Sequence, residues 1–294
     1  MAKASHVIAV VNQKGGVGKT TTAVNLAACF AATERRTLLI DLDPQGNASS
    51  AFGIGDSPQH VYDVLIGEAT IEQVALRSSI EYLDVLPAGP DLVGAEIELV
   101  TAESREHKLA EAIARAHDRY ELVVIDCPPS LGLLTLNALT AADSLLIPLQ
   151  CEYYALEGLA RLTETSELVR ENLNPALQLL GIVLTMVDMR NNLARQVEAE
   201  VRRHFGDKVY RTRVPRNIRL SEAPSHGKPI ILYDIHSKGA VAYLKLAEEI
   251  LEKAPFAASR HAALPDEQSA GATDTTTHTT TEEEVSATAS EDEA

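Results

Sequence analysis

Apolar residues along this chain follow two rhythms that take turns. Short, largely apolar runs bounded by turn residues recur at 6–11, 37–42, 82–86, 122–125, 144–148, 177–187 and 208–214. Between them lie longer stretches in which apolar residues return every three or four positions, at 20–33, 91–117, 155–172, 192–205 and 237–253. The first rhythm suits a strand buried on both faces, the second a helix with one face against a core. Their alternation predicts an α/β fold: βα units wound around a mostly parallel, twisted sheet flanked by helices. No linker interrupts the signals before Pro255, so one domain over 1–254 is expected. From there Ala, Ser, Thr, Glu and Asp take over, and large apolar residues nearly vanish after Leu264. A disordered, acidic, Thr/Glu-rich tail over 255–294 is the expectation.

The first predicted strand and the first predicted helix are joined by Gln13-Lys14-Gly15-Gly16-Val17-Gly18-Lys19-Thr20-Thr21. Glycines at 15, 16 and 18 let the backbone curl so that amides from Lys14 to Thr21 point at phosphate oxygens, at a helix N-terminus whose dipole also favours an anion. In such a loop Lys19 supplies charge to the β and γ phosphates and the Thr20 hydroxyl can ligate Mg2+. The usual pattern G-x-x-x-x-G-K-[ST] would place glycine at 13, where this chain has Gln13. Lys14 is a second lysine in one loop, and two cations so close repel unless phosphate charge lies between them.

Two carboxylates complete the pattern. Asp43 follows the second strand in Asp41-Leu42-Asp43-Pro44-Gln45-Gly46-Asn47, where proline and glycine turn the chain away from the sheet's carboxyl edge. Asp126 ends the strand at 122–125 and is followed by Pro128-Pro129. Ligands of open α/β sheets bind at that edge. Asp41, still inside its strand run, is read as structural.

Lys14 ahead of the glycines is the mark of the deviant Walker A family, and the loop resembles that of ParA/Soj partition ATPases, MinD and the nitrogenase iron protein. The resemblance implies a P-loop NTPase domain that binds ATP with Mg2+, with Lys14 reaching across a homodimer interface to the partner's nucleotide. It assigns Asp43 to switch I, aiming the attacking water and touching the metal shell, and Asp126 to the Walker B position that holds Mg2+. The string from Val214 through Pro215, Arg216, Asn217 and Arg219 to Ile230 is close to that of chromosomal ParA/Soj proteins. With the nucleotide segments, the likeness spans roughly 6–253. It implies an ATP-bound dimer that coats double-stranded DNA without sequence preference through arginines matching Arg190 and Arg219. It also implies adenine contacts near Pro215, Arg216 and Asn217, slow hydrolysis stimulated by a ParB-like protein, and a cytoplasmic, nucleoid-associated protein. The alternatives are a MinD-like positioning ATPase that does not act on DNA, and a metabolic P-loop enzyme such as an amide ligase.

Charge bears on the choice. The formal net charge is −16, yet 255–294 alone holds nine acidic residues against one basic, while 189–228 holds ten Lys/Arg against four Asp/Glu. That basic stretch is the candidate surface for a phosphate backbone. Cys29, Cys127 and Cys151 are scattered, as expected of a reduced compartment. No apolar run is long enough to span a bilayer and the tail is not a basic amphipathic helix, so no membrane contact is expected.

Overall fold

Among the described residues, eight strands form one sheet in the order β3-β4-β2-β5-β1-β6-β7-β8. They are β1 (His6–Val10), β2 (Thr37–Asp41), β3 (Leu76–Arg77), β4 (Leu83–Leu86), β5 (Leu122–Asp126), β6 (Ser144–Gln150), β7 (Gln178–Val187) and β8 (Val209–Pro215). The computed structural model describes residues 5–253 apart from 56 and 117, so the expected tail over 255–294 lies outside the described residues. Every neighbouring pair is parallel except β3 with β4. The chain leaves β1 for β2 on one side and later reaches β6 on the other, so the carboxyl end of β1 is the point where the topology reverses. A crevice opens there in folds of this kind.

The two faces of the sheet bury different residues of the same strands, as the twofold repeat of a strand requires. Val7, Ala9, Leu38, Ile40, Val123 and Ile125 pack on one side; Ile8, Val10, Leu39 and Val124 pack on the other. On that second side lies α1 (Lys19–Ala31), buried throughout from Ala23 to Ala31, where alanines at 23, 27, 28 and 31 let it pack close, with the helix Lys238–Lys253 beside it. The buried Thr22 and Tyr243 hydroxyls join the two helices at 3.1 Å.

Most predicted elements stand within a residue or two of their expected bounds. The helix Asn192–Phe205 begins where the sequence places it, capped by the Asn191 side chain accepting from the Leu193 amide. The stretch 91–117 differs: it divides into the helix Leu92–Glu98, a 3-10 turn Leu99–Thr101 and the helix Lys108–Arg115. Ser104 adopts a left-handed backbone (φ 51°), which no helix can continue through. The second piece is started from outside, by buried Asn137, which accepts from the Leu109 amide and donates to the Arg105 carbonyl. Asn137 belongs to the helix Leu133–Ala141, which the periodicity did not predict. Its sequence, LLTLNALTA, lacks a charged face, and an amphipathic pattern cannot register a helix that is buried over most of its surface, with only Leu133, Leu136 and Ala141 partly open.

The last helix also closes the β8 edge. Glu249 accepts from the Arg211 and Thr212 amides at 2.9 and 3.0 Å and pairs with Lys253 at 3.1 Å. Burial works against its charge, but these donors win and hold its pKa down at about 2. A carboxylate whose pKa is depressed on folding stabilises the fold above its unfolded value and loses that contribution as pH falls toward the folded one. Glu249→Ala is therefore expected to cost about 2 kcal/mol at neutral pH. Urea melts of the two proteins should converge between roughly pH 4 and pH 2; a gap independent of pH would mean that packing alone was lost.

Candidate nucleotide-binding site

Past β1 the chain is tied down before it bends. The buried Asn12 side chain donates to the Pro148 carbonyl at 2.7 Å and accepts from the Lys14 amide at 2.9 Å. Gly16 and Gly18 then take left-handed backbone angles (φ 75° and 86°), which a side chain would strain, and Gly18 starts α1. The far side of the loop is held by the end of β7: Thr185 donates its hydroxyl to the Val17 carbonyl at 2.8 Å, and Met186 lies beside Gly18. Lys19, only 6% exposed, donates to the Lys14 carbonyl at 3.3 Å. Burial lowers its pKa, while Asp126, Asp43 and Cys127 draw it back up.

The carboxylates lie at the matching ends of β2 and β5, where Asp41 stands opposite Asp126 in the ladder. Both are fully buried, yet they are used differently. Asp41 accepts from the Ser49 amide and hydroxyl, both at 2.7 Å, and from the Asp43 amide at 3.3 Å. Burial still raises its pKa to about 6. It staples the turn after β2, the structural part expected of it. Burial and the Asp41 charge push Asp126 well above the ordinary carboxylate range, with Thr20 and Lys19 partly offsetting them. The Thr20 hydroxyl favours the Asp126 charge without reaching the geometry of a full hydrogen bond, and neither carboxylate oxygen has another partner among the described residues. Orphaned carboxylate oxygens at full burial are costly, and a divalent cation beside the Thr20 hydroxyl would satisfy them. The residues present therefore fit Mg2+.

These parts surround a cleft of 310 Å3, at the small end of the range for ligand sites. Of the residues expected from sequence, Gly15, Gly16, Gly18, Lys19, Thr20, Thr21 and Asp43 line it; Gln45, Asn47 and Pro129, from the two segments expected to complete the site, line it as well, and Met186 was not foreseen. Met186, with a positive φ of 50°, stands at the end of the apolar run that became β7, the one signal that marked its place. Val17 is buried beneath the loop. A larger cavity of 540 Å3 opens at the other end of the sheet, where His6, Ser144 and Gln178 begin their strands, and has no part in this chemistry.

Lys14 does not line the cleft. Its side chain, 46% exposed, pairs with Glu152 just beyond β6. A second lysine beside Lys19 suits phosphate charge between the two, and in this structure a carboxylate pairs with Lys14 instead. Pro215 ends β8 opposite Val187, and the Arg216 amide donates to the Val187 carbonyl at 3.5 Å, which sets this segment next to Met186. Asn217 caps the short helix Ile218–Glu222 by accepting from the Arg219 amide.

The basic stretch is less uniform than its composition suggests. Arg202 and Arg213 converge on Glu198, buried in the helix Asn192–Phe205, and Arg211 pairs with Glu249. These three arginines hold the β8 edge together. Arg190 is 91% exposed and forks onto Asp188 at 2.7 Å; Arg219 is half exposed and pairs with Glu222 at 2.9 Å and Asp234 at 3.5 Å. Pairs of this kind at the surface are worth little and exchange readily for phosphate.

Residues 5–179 match the family model described as "AAA domain". The sporulation initiation inhibitor protein Soj of Bacillus subtilis is 57% identical over 83% of this chain and 97% of its own length. The chromosome partitioning protein ParA of Myxococcus xanthus is 56% identical over 86% of this chain and 90% of its own. Among solved structures, cobyrinic acid a,c-diamide synthase from Mycobacterium smegmatis with bound ADP and magnesium is 38% identical, with a TM-score of 0.74 over 84% of this chain and 94% of that one. A glycine loop that opens on Lys14, aspartates at two adjoining strand ends, and relatives at this level of identity along nearly their whole length agree: the chain belongs to the ParA/Soj family of chromosome-partitioning ATPases.

Proposed function

We propose that this protein binds ATP with Mg2+, pairs with a second copy across the two nucleotides, holds DNA without sequence preference while ATP is intact, and is released by slow hydrolysis that a ParB-like partner accelerates. The observation that carries this reading is the unequal fate of the two loop lysines: Lys19 is buried against its own cleft, while Lys14 stands outside it on an exposed pairing with Glu152. A cation held at the rim by one carboxylate is free to exchange it for the phosphates of a facing subunit.

The chain's own residues would divide the work. Amides of Gly15, Gly16, Val17 and Gly18 cradle the phosphates, and Lys19 neutralises charge on the transferring group. Thr20 and Asp126 would hold Mg2+, which supplies further charge neutralisation. Asp43, at the mouth of the cleft, orients water, and Pro215, Arg216 and Asn217 border the base. Phosphoryl transfer asks for positioning and charge more than covalent help, so turnover waits on alignment of the segments carrying Asp43 and Asp126. Arg190 and Arg219 serve the duplex. Non-specific binding is mostly phosphate neutralisation, so exposed arginines whose acidic partners are expendable suit it. The amide-ligase reading suggested by the name of the M. smegmatis protein is less well supported, because the partition proteins are more alike in sequence and share nearly their full length.

The test is retention of random duplex DNA by the full chain with ATP or ADP, alongside sedimentation. ATP should produce a dimer and tight, salt-sensitive binding; ADP should produce neither. Lys14→Ala is expected to lose the dimer and DNA together, whereas Arg219→Glu and Arg190→Glu keep the dimer and lose at least about tenfold in DNA affinity, with a shallower salt slope. Preference for one operator sequence, or DNA binding indifferent to nucleotide, would overturn the reading.

A further inference from the structure

The helix Leu92–Glu98 and its 3-10 extension Leu99–Thr101 bury Leu92, Ala95 and Leu99 against the core. Their opposite face is also apolar: Val93 is 62% exposed, Ile97 74% and Val100 53%. Residues at such spacing form one stripe on a helix surface. A helix apolar on both faces, one of them in water, is unusual away from a binding surface.

Acidic groups flank the stripe. On one side the Tyr62 hydroxyl donates to Glu98 at 2.7 Å, and the charges of Glu98, Glu68 and Asp91 converge on that hydroxyl. That hydrogen bond and those charges raise the Tyr62 pKa to about 12. On the other flank is Glu96, whose carboxylate lies so close to Gly132 that a Cβ there would collide with it. Its Oε1 is buried and has no hydrogen-bond partner. Gly132 caps the helix Leu133–Ala141, directly after the segment running from Asp126 through Pro128 and Pro129.

We infer that the stripe of Val93, Ile97 and Val100 is a docking surface for a basic amphipathic segment of a protein partner, its apolar side on the stripe and its lysines or arginines on the flanking carboxylates. The charge selects the occupant. An anionic membrane would be repelled by Glu68, Asp91 and Glu98, and a second copy would bring the same carboxylates against them. The unsatisfied Glu96 oxygen is where docking reaches the nucleotide site: a shift of this helix moves a carboxylate packed on the cap of the segment that carries Asp126. This consequence for turnover rests on the ATPase reading above; the binding itself does not.

The probe is a fluorescent synthetic peptide with leucine at helical spacing on one face and lysine on the other, titrated against the full chain. Two controls accompany it, one with the same composition shuffled to remove the apolar face and one with glutamate for lysine. The amphipathic basic peptide should bind in the micromolar range, the glutamate version not at all and the shuffled one at least about tenfold more weakly. Ile97→Glu and Val100→Glu, both at exposed positions, should each weaken binding at least about tenfold while leaving basal turnover and ATP-dependent sedimentation unchanged. Equal binding by wild type and both variants, or by the shuffled and amphipathic peptides, overturns the proposal. So does loss of the ATP-dependent dimer in Ile97→Glu, which would give the stripe to self-association. Peptide binding lost in the variants, in a protein that never hydrolyses ATP, would uphold the surface and remove only the reading of function.

Discussion

Lys19→Ala should abolish ATP binding, with an affinity loss of about 100-fold or more. Among the described residues Lys19 is the one cation buried at the cleft, and burial lowers its pKa, so the folded protein bears a desolvation cost to keep it there. That cost is repaid only when anionic oxygens arrive. Two results are therefore expected together: calorimetry with ATP loses its signal, while the thermal midpoint of the nucleotide-free protein stays level or rises, because an under-compensated buried charge has gone. Normal ATP affinity in the variant would remove Lys19 from the site. A fall in the nucleotide-free midpoint would make it a structural lysine.

Asp43→Ala should have the opposite signature. The carboxylate accepts from the Gln45 amide at 3.0 Å and lines the cleft without supporting the glycine loop, so binding of ATP does not depend on it. In the proposed mechanism the aiming of water does. Turnover is expected to fall by about 100-fold or more, and the variant should accumulate as an ATP-bound dimer retained on DNA. Single-turnover hydrolysis and sedimentation with ATP measure the two halves separately. A variant that stays monomeric with ATP, or that hydrolyses at the normal rate, would take the water from Asp43.

The nucleotide loop was legible because its information is local. Three glycines, one lysine and one threonine occupy consecutive positions, and the backbone angles they allow are properties of those residues alone. The strand ends carrying Asp43 and Asp126 were legible for a similar reason, since an apolar run that stops at an aspartate marks both the end of the strand and the side on which it ends. The helix Leu133–Ala141 and the break at Ser104 were not. One is mostly buried and lacks the contrast on which periodicity depends, and the other is set by Asn137, a residue distant in sequence.

For this protein, then, the sequence by itself determined seven of the eight strands, that the sheet is mostly parallel, and the glycine loop after the first strand; the two-residue edge strand Leu76–Arg77, which pairs antiparallel with β4, is too short to carry a pattern. These follow from the spacing of apolar side chains and from glycine's freedom, neither of which needs a partner. Only the tertiary structure decided what each charge is for. Asp41 and Asp126 are alike in sequence context, yet one is bound by Ser49 and the other left with both oxygens unsatisfied. Arg202, Arg211 and Arg213 share a stretch with Arg190 and Arg219 but brace the sheet edge through Glu198 and Glu249. A side chain's charge is written in the sequence, but its neighbours within a few ångströms are gathered from across the chain, and at that range the neighbours determine whether a charge is a brace, a ligand or a surface.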